Sequence, residues 1–144
     1  MPRFFVRYSQ KYPLRNAMYI VNKLHYHTVS KTLDIHFDDE QIFTLSCEYL
    51  RTHSPSAEVQ GHGNQSKDPL NLVLNKQDVA IRKLEPVGHY AVRLVFDDGH
   101  DSGLYSWQYL RALSEEQAER WQRYQTRVED YHANKDSIPI KFTP

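Results

Sequence analysis

The sequence predicts an α+β fold: two repeated strand-strand-strand-short-helix units forming a mainly antiparallel sheet, covered by a C-terminal amphipathic helix. Three observations carry this. The chain repeats itself: Lys23-Leu24, Phe37-Asp38-Asp39 and Tyr49-Leu50-Arg51 recur in the same order as Lys83-Leu84, Phe96-Asp97-Asp98 and Tyr109-Leu110-Arg111. Such a repeat sets the architecture and is sought before any local detail. Within each copy, apolar and polar residues alternate with the period of a half-buried strand. After the second copy, Ala118, Trp121, Tyr124, Val128 and Tyr131 fall at helical spacings of three and four.

The repeat covers residues 19–51 and 79–111. In the first copy, residues 18–27 are rich in β-branched and aromatic side chains and read as a strand. Residues 28–31 form a turn. Leu33, Ile35 and Phe37 then alternate with Asp34 and His36 in a second strand. Asp38-Asp39-Glu40 is a polar turn, residues 42–45 a third strand, and Ser46 an N-cap for a short helix carrying Tyr49 and Leu50. The second copy repeats the order. Residues 79–85 are a strand and 86–89 a turn. Val92, Leu94 and Phe96 form the inward face of the next strand, and Asp97-Asp98-Gly99-His100 the hairpin turn. Residues 103–105 are a strand, and Ser106 precedes a helical turn with Trp107 and Leu110. Leu33/Val92, Ile35/Leu94 and Phe37/Phe96 are thus expected to face one core.

Three segments lie outside the copies. Residues 1–17 read as an irregular arm, part of an acid-free stretch holding Arg3, Arg7, Lys11, Arg15, Lys23 and Lys31. Residues 52–77 contain Pro55, Gly61, Gly63 and Pro69 and form a long irregular segment, a type often functional in small domains. Within it, Leu70, Leu72, Val73 and Leu74 are expected to dock on the core. Ser114-Glu115-Glu116-Gln117 matches a capping box opening the C-terminal helix. Residues 133–144 read as a loose tail, which leaves 18–132 as one domain.

Composition narrows the function classes. Eighteen basic residues balance 18 acidic ones, so no broad electrostatic footprint for nucleic acid exists. The single cysteine, Cys47, allows no internal disulfide and reads as a buried, inert thiol in a reducing compartment. No apolar run is long enough to span a bilayer, and no signal-peptide core is present. A cytoplasmic protein is expected.

The chemistry-bearing residues are few. The two Asp-Asp pairs sit at equivalent turns, and turn chemistry accounts for them. His25 and His27 share one strand face and can bind a metal together, but sequence offers no third ligand nearby, so they read as exposed strand histidines. His53, His62 and His100 form a second candidate set for zinc or iron(II). Phosphate-binding loops and a nucleophile elbow are absent. No cofactor and no enzymatic activity are expected; a protein partner is. The residues expected to meet it are Arg51, Ser54, Ser56, Glu58, Gln60, His62 and Trp107. Arg51 would anchor an acidic group, and the loop after it would present hydrogen bonds.

Two strings resemble a known family. One is Tyr49-Leu50-Arg51 followed by Ser54-Pro55-Ser56-Ala57-Glu58-Val59-Gln60-Gly61-His62. The other runs from Gly88-His89-Tyr90 through Phe96-Asp97-Asp98-Gly99-His100-Asp101-Ser102-Gly103-Leu104-Tyr105-Ser106-Trp107 to Leu110. Together they resemble the gamma-butyrobetaine hydroxylase-like N-terminal domain family, a domain of unknown function, over roughly residues 18–113, as a stand-alone bacterial-type member. In hydroxylases this domain precedes an iron- and 2-oxoglutarate-dependent oxygenase, whose activity the resemblance does not carry over to this chain. The family zinc site has three cysteines and one histidine. Ser54, Ser56 and Val59 fall at the cysteine positions and His100 at the histidine position, which implies that this zinc site is absent. Family members fused to iron–sulfur carrier ATPases imply an accessory role beside iron–sulfur or oxygenase proteins. A purely structural domain is the remaining alternative.

Overall fold

The computed structural model describes residues 18–55, 72–137 and 141–144. The arm (1–17) and the segment 56–71, with Leu70, lie outside the described residues. So do the candidate residues Ser56, Glu58, Val59, Gln60 and His62.

The two copies fold alike. The first is β1 (Val21–His27), β2 (Thr32–Phe37), β3 (Ile42–Ser46) and helix α1 (Cys47–Thr52). The second is β4 (Ile81–Val87), β5 (Ala91–Phe96), β6 (Gly103–Ser106) and helix α2 (Trp107–Glu115), followed by helix α3 (Gln117–Ser137). The α+β fold is as expected, with one added detail. Each copy closes its own three-stranded antiparallel sheet, ordered β1-β2-β3 and β4-β5-β6. Both first strands carry a register shift at the same place, between Val21 and Lys23 and between Ile81 and Lys83. Pro86, expected in a turn, lies within β4 opposite Val92. Because β4 is an edge strand, its missing N–H disrupts no ladder.

Period-two alternation sets the core as expected. Leu33, Ile35 and Phe37 from β2 and Val92, Leu94 and Phe96 from β5 are all essentially inaccessible. They join Leu45, Leu50, Tyr105, Leu110 and Leu113 in one apolar cluster. Ser46 and Ser106 cap their helices, accepting hydrogen bonds from the Tyr49 and Tyr109 backbone N–H groups at 3.1 and 3.0 Å.

The copies are locked by exchanged contacts. The Tyr49 hydroxyl donates to the Leu113 carbonyl at 2.7 Å, and the Tyr109 hydroxyl donates to the His53 carbonyl at 2.6 Å. His53 and Leu113 stand four residues after their own tyrosines, so the two bonds are mirror copies of one interaction. The arginines cross in the same way: Arg51 binds Asp98 of the second copy, and Arg111 binds Asp39 of the first.

Two helix boundaries differ from expectation. Ser114 does not open a capping box. It lies inside α2, buried, with its hydroxyl donating to the Leu110 carbonyl at 2.7 Å. This back-bond to the preceding turn lets a serine sit inside a helix. The last helix also runs to Ser137, past the tail boundary at 133, and ends just ahead of Pro139. Its aromatic stripe meets the core at one end: Trp121 packs edge-on to Tyr49, with ring centroids 6.2 Å apart. The Tyr124 hydroxyl donates to the carbonyl of half-buried Val73, which ties the end of the central segment to α3.

Removing one exchanged hydroxyl strands a buried carbonyl, a loss of about 1–2 kcal/mol. Tyr49→Phe is expected to lower the urea midpoint by that free energy divided by an unchanged m-value. Tyr109→Phe is expected to cost less, because water reaches its half-buried ring.

Candidate functional site

The two crossed arginines lie in different surroundings, and the difference defines the candidate site. Arg111 is 2 % exposed. Its guanidinium lies 4.5, 4.9 and 5.3 Å from the ring centroids of Tyr19, Phe37 and Phe43. Nη1 is 2.9 Å from Asp39 Oδ2, and Nε donates to Glu115 Oε2 at 2.8 Å. This is an aromatic cage closed by two carboxylates, and it excludes any external ligand.

In the second copy Val79 replaces Tyr19 and Gly103 replaces Phe43, so Arg51 has no such cage. Its partner Asp98 gathers donors from three segments. Arg51 Nε donates to Oδ2 at 2.8 Å, Lys76 Nζ lies 2.7 Å from the same oxygen, and the His100 backbone N–H donates to Oδ1 at 3.0 Å. Burial alone would raise the Asp98 pKa. The bonds from Lys76, His100 and Arg51 outweigh it and hold the carboxyl well below the usual carboxylate range.

Beside this pair, Ser54 Oγ and His100 Nε2 share a hydrogen bond at 2.9 Å. Ser54 is fully buried. Burial and the neighbouring Arg51 charge push the His100 pKa down, which favours the neutral ring. Gly103 makes room for the contact: a Cβ there would stand 2.9 Å from Tyr105 Cε1 and 3.0 Å from Ser54 Oγ. The Tyr105 hydroxyl donates to the Leu50 carbonyl at 2.6 Å, which ties β6 to α1.

Several expected site residues therefore turn inward. Arg51, expected to anchor a partner's acidic group, holds Asp98 of its own chain, with its side chain 13 % exposed. Ser54 is enclosed. His53 directs Nδ1 to the Tyr49 carbonyl and the Thr52 hydroxyl, at 3.0 Å each. His100 is joined to Ser54, so His53 and His100 are each committed to a separate local partner. Trp107 remains half-exposed, its indole N–H donating to the His89 carbonyl at 2.8 Å. Cys47 is buried, and burial raises its thiol pKa, in line with an inert thiol.

The clasp does not suit a metal or a nucleophile. A serine hydroxyl and one imidazole lack the thiolates that structural zinc sites use. Among the described residues, Ser54 and His100 are hydrogen-bonded to each other at this position. A buried Ser54 offers no substrate an approach to its oxygen. An open groove of about 430 Å³ between α1 and α3 is lined by Ser46, Tyr49, Gln117, Ala118, Trp121 and Gln122 and has no carboxylate, imidazole or thiol in its lining.

One further grouping was missed from sequence. Among the described residues, His25, His27 and Asp34 bring their ligand atoms within 4.8 Å of one another. The sequence signal was the hairpin register: the turn at 28–31 sets His25 directly opposite Asp34.

The fold and site together define a small duplicated α+β module whose reactive-looking residues hold its two halves together. Residues 24–111 match the gamma-butyrobetaine hydroxylase-like N-terminal family, and the chain belongs to that family. It is similar to a crystal structure of a protein of unknown function in the DUF971 family from Acidithiobacillus ferrooxidans. That match has 31% identity and a TM-score of 0.54, covering 65% of this chain and 91% of that one. Two NMR solution structures are also similar. One has 43% identity and a TM-score of 0.68, covering 91% of this chain and 98% of that one. The other has 41% identity and a TM-score of 0.65, covering 81% and 89%. Comparison with curated proteins yields no match. Among the described residues, no helix is long and apolar enough to cross a membrane.

The depressed Asp98 pKa stabilises the fold above the carboxyl's unfolded value, and this contribution is lost as pH falls through the folded value. Asp98→Asn is therefore expected to be less stable than wild type by a constant margin between about pH 5 and 7, with the gap closing below about pH 4. Urea unfolding at stepped pH measures it. Gly103→Ala is expected to cost about 1–3 kcal/mol by forcing Tyr105 or Ser54 aside, read as a lowered thermal midpoint.

Proposed function

We propose that this chain is a non-enzymatic protein-binding module. One observation carries the reading: the groups able to do acid–base or nucleophilic chemistry at the candidate site are engaged with one another, while aromatic surface stands open at the opposite end of the second sheet. Arg51, Asp98, Ser54 and His100 form the clasp between copies. Tyr90, at the β4–β5 turn, is 64 % exposed. The Tyr90 carbonyl accepts the Trp107 N–H at 2.8 Å, which brings these two aromatic residues to one end of the second sheet. Tyrosine and tryptophan in such positions supply large, rigid contact area and are enriched among residues that dominate binding energy. Leu104, on edge strand β6, adds a further exposed apolar side chain. The class of partner that the family resemblance suggests is an iron–sulfur or oxygenase protein, which this module would accompany.

The test is quantitative capture of partners by the wild-type chain and by Tyr90→Asp, with Val29→Asp at the exposed tip of the first copy as control. A partner is expected whose binding falls by about 2 kcal/mol, roughly 30-fold, in Tyr90→Asp and is unchanged in Val29→Asp. If no captured protein depends on Tyr90, the domain is better described as structural.

A further inference from the structure

We propose that the outer face of the first sheet is a divalent transition-metal site formed by His25, His27 and Asp34. The placement follows from the hairpin. Side chains at alternate positions of a strand share a face, so His25 and His27 project together from β1, away from the core-packed Leu24 and Tyr26. The β1–β2 register sets Asp34 directly across from His25. The three ligand atoms lie within 4.8 Å of one another, and none of the three residues is buried.

The donor set suits a first-row metal ion. Two imidazoles and one carboxylate on one face, with the remaining positions open, match a recurrent ligand set for such ions. In tetrahedral zinc the ligands stand at ~2.0–2.2 Å from the metal, hence roughly 3.3 Å from one another. His27 Nε2 and Asp34 Oδ2 are already 2.8 Å apart, and the two histidine ring centroids are 4.3 Å apart. Closing on an ion needs small side-chain rotations and no backbone change. Asp34 is also oriented from behind: the Thr44 hydroxyl on β3 donates to its other oxygen at 2.7 Å. Such outer-sphere bonds fix ligating carboxylates in metal sites.

The second copy shows that the fold does not require this trio. There the equivalent cross-strand pair is Glu85 opposite Arg93, joined in an ordinary ion pair. The first copy departs from that pair in both partners and adds His27, where the second copy has Val87. None of the three residues belongs to the Tyr90, Trp107 and Leu104 surface on the second sheet, so the site is independent of the binding surface proposed above.

The experiment is zinc titration of the full chain without a histidine tag, by calorimetry, for wild type and for the double variant His25→Glu/Asp34→Arg. The double variant copies the Glu85–Arg93 pair onto the first sheet and is designed to retain the fold, checked by circular dichroism. One equivalent of zinc is expected in wild type, with at least ~100-fold weaker binding in the double variant. Thr44→Val is expected to weaken binding roughly 10–100-fold. NMR of wild type supplies a reading independent of any variant: zinc is expected to shift the His25 and His27 ring signals and leave those of His53 and His100 in place. No saturable one-to-one binding in wild type overturns the proposal. So does a folded double variant that binds as wild type does, or a shift confined to His53 and His100.

Discussion

The interaction on which the structure depends is the double crossing between its two copies. Each three-stranded sheet has one apolar face and no means of covering it alone. Facing the sheets buries both, but apolar contact by itself does not fix their relative position. The tyrosine hydroxyls and arginine guanidiniums do. Each reaches out of its own helix to one carbonyl or one carboxylate of the other copy. The three hydrogen bonds among these contacts have directions and lengths, and the Arg111–Asp39 ion pair adds charge attraction. Together they select a single arrangement from the many that hydrophobic burial would accept.

Much of this was legible in the sequence, and the boundary of legibility has physical causes. Strand alternation placed Leu33, Ile35 and Phe37 with Val92, Leu94 and Phe96 in the core, because period-two patterning is a local property of one strand. Ser46 and Ser106 were readable as caps for the same reason. The capping box at Ser114 failed because burial and a back-bond to Leu110 favoured continuing the helix. The roles of Asp39 and Asp98 were only half visible. Turn chemistry is indeed present, with the Gln41 and His100 backbone N–H groups donating to these carboxylates. Their second oxygens face arginines far away in the chain, and no local pattern reports that.

The candidate site shows the same division. Sequence comparison of the copies pointed to the segment after Arg51 and to His100, and the structure joins Ser54 to His100 directly. What the residue types did not reveal was burial. Arg51 and Ser54 are polar and stand in and just after the last turn of a short helix, features of surface residues, yet both are held against the second hairpin. The His25–Asp34 pairing lay within reach, since the length of one turn fixes it. It was missed because a histidine and an aspartate nine residues apart look unrelated until the hairpin is closed.

The crossed contacts have a consequence for how such a chain can diverge. Each copy contains both halves of the lock, a Tyr-Leu-Arg and a Phe-Asp-Asp, so a single copy is complementary to itself. That is the defining property of a two-fold isologous dimer. In a true dimer every substitution appears on both sides of the axis at once, and a cage and a clasp could not coexist. Joining the copies in one polypeptide removes that coupling. One arginine keeps its aromatic cage and anchors the assembly, while its twin is free to exchange Phe43 for Gly103 and Gln41 for His100. Tandem fusion thus converts a symmetric interface into one caged hinge-pin and one position open to specialisation.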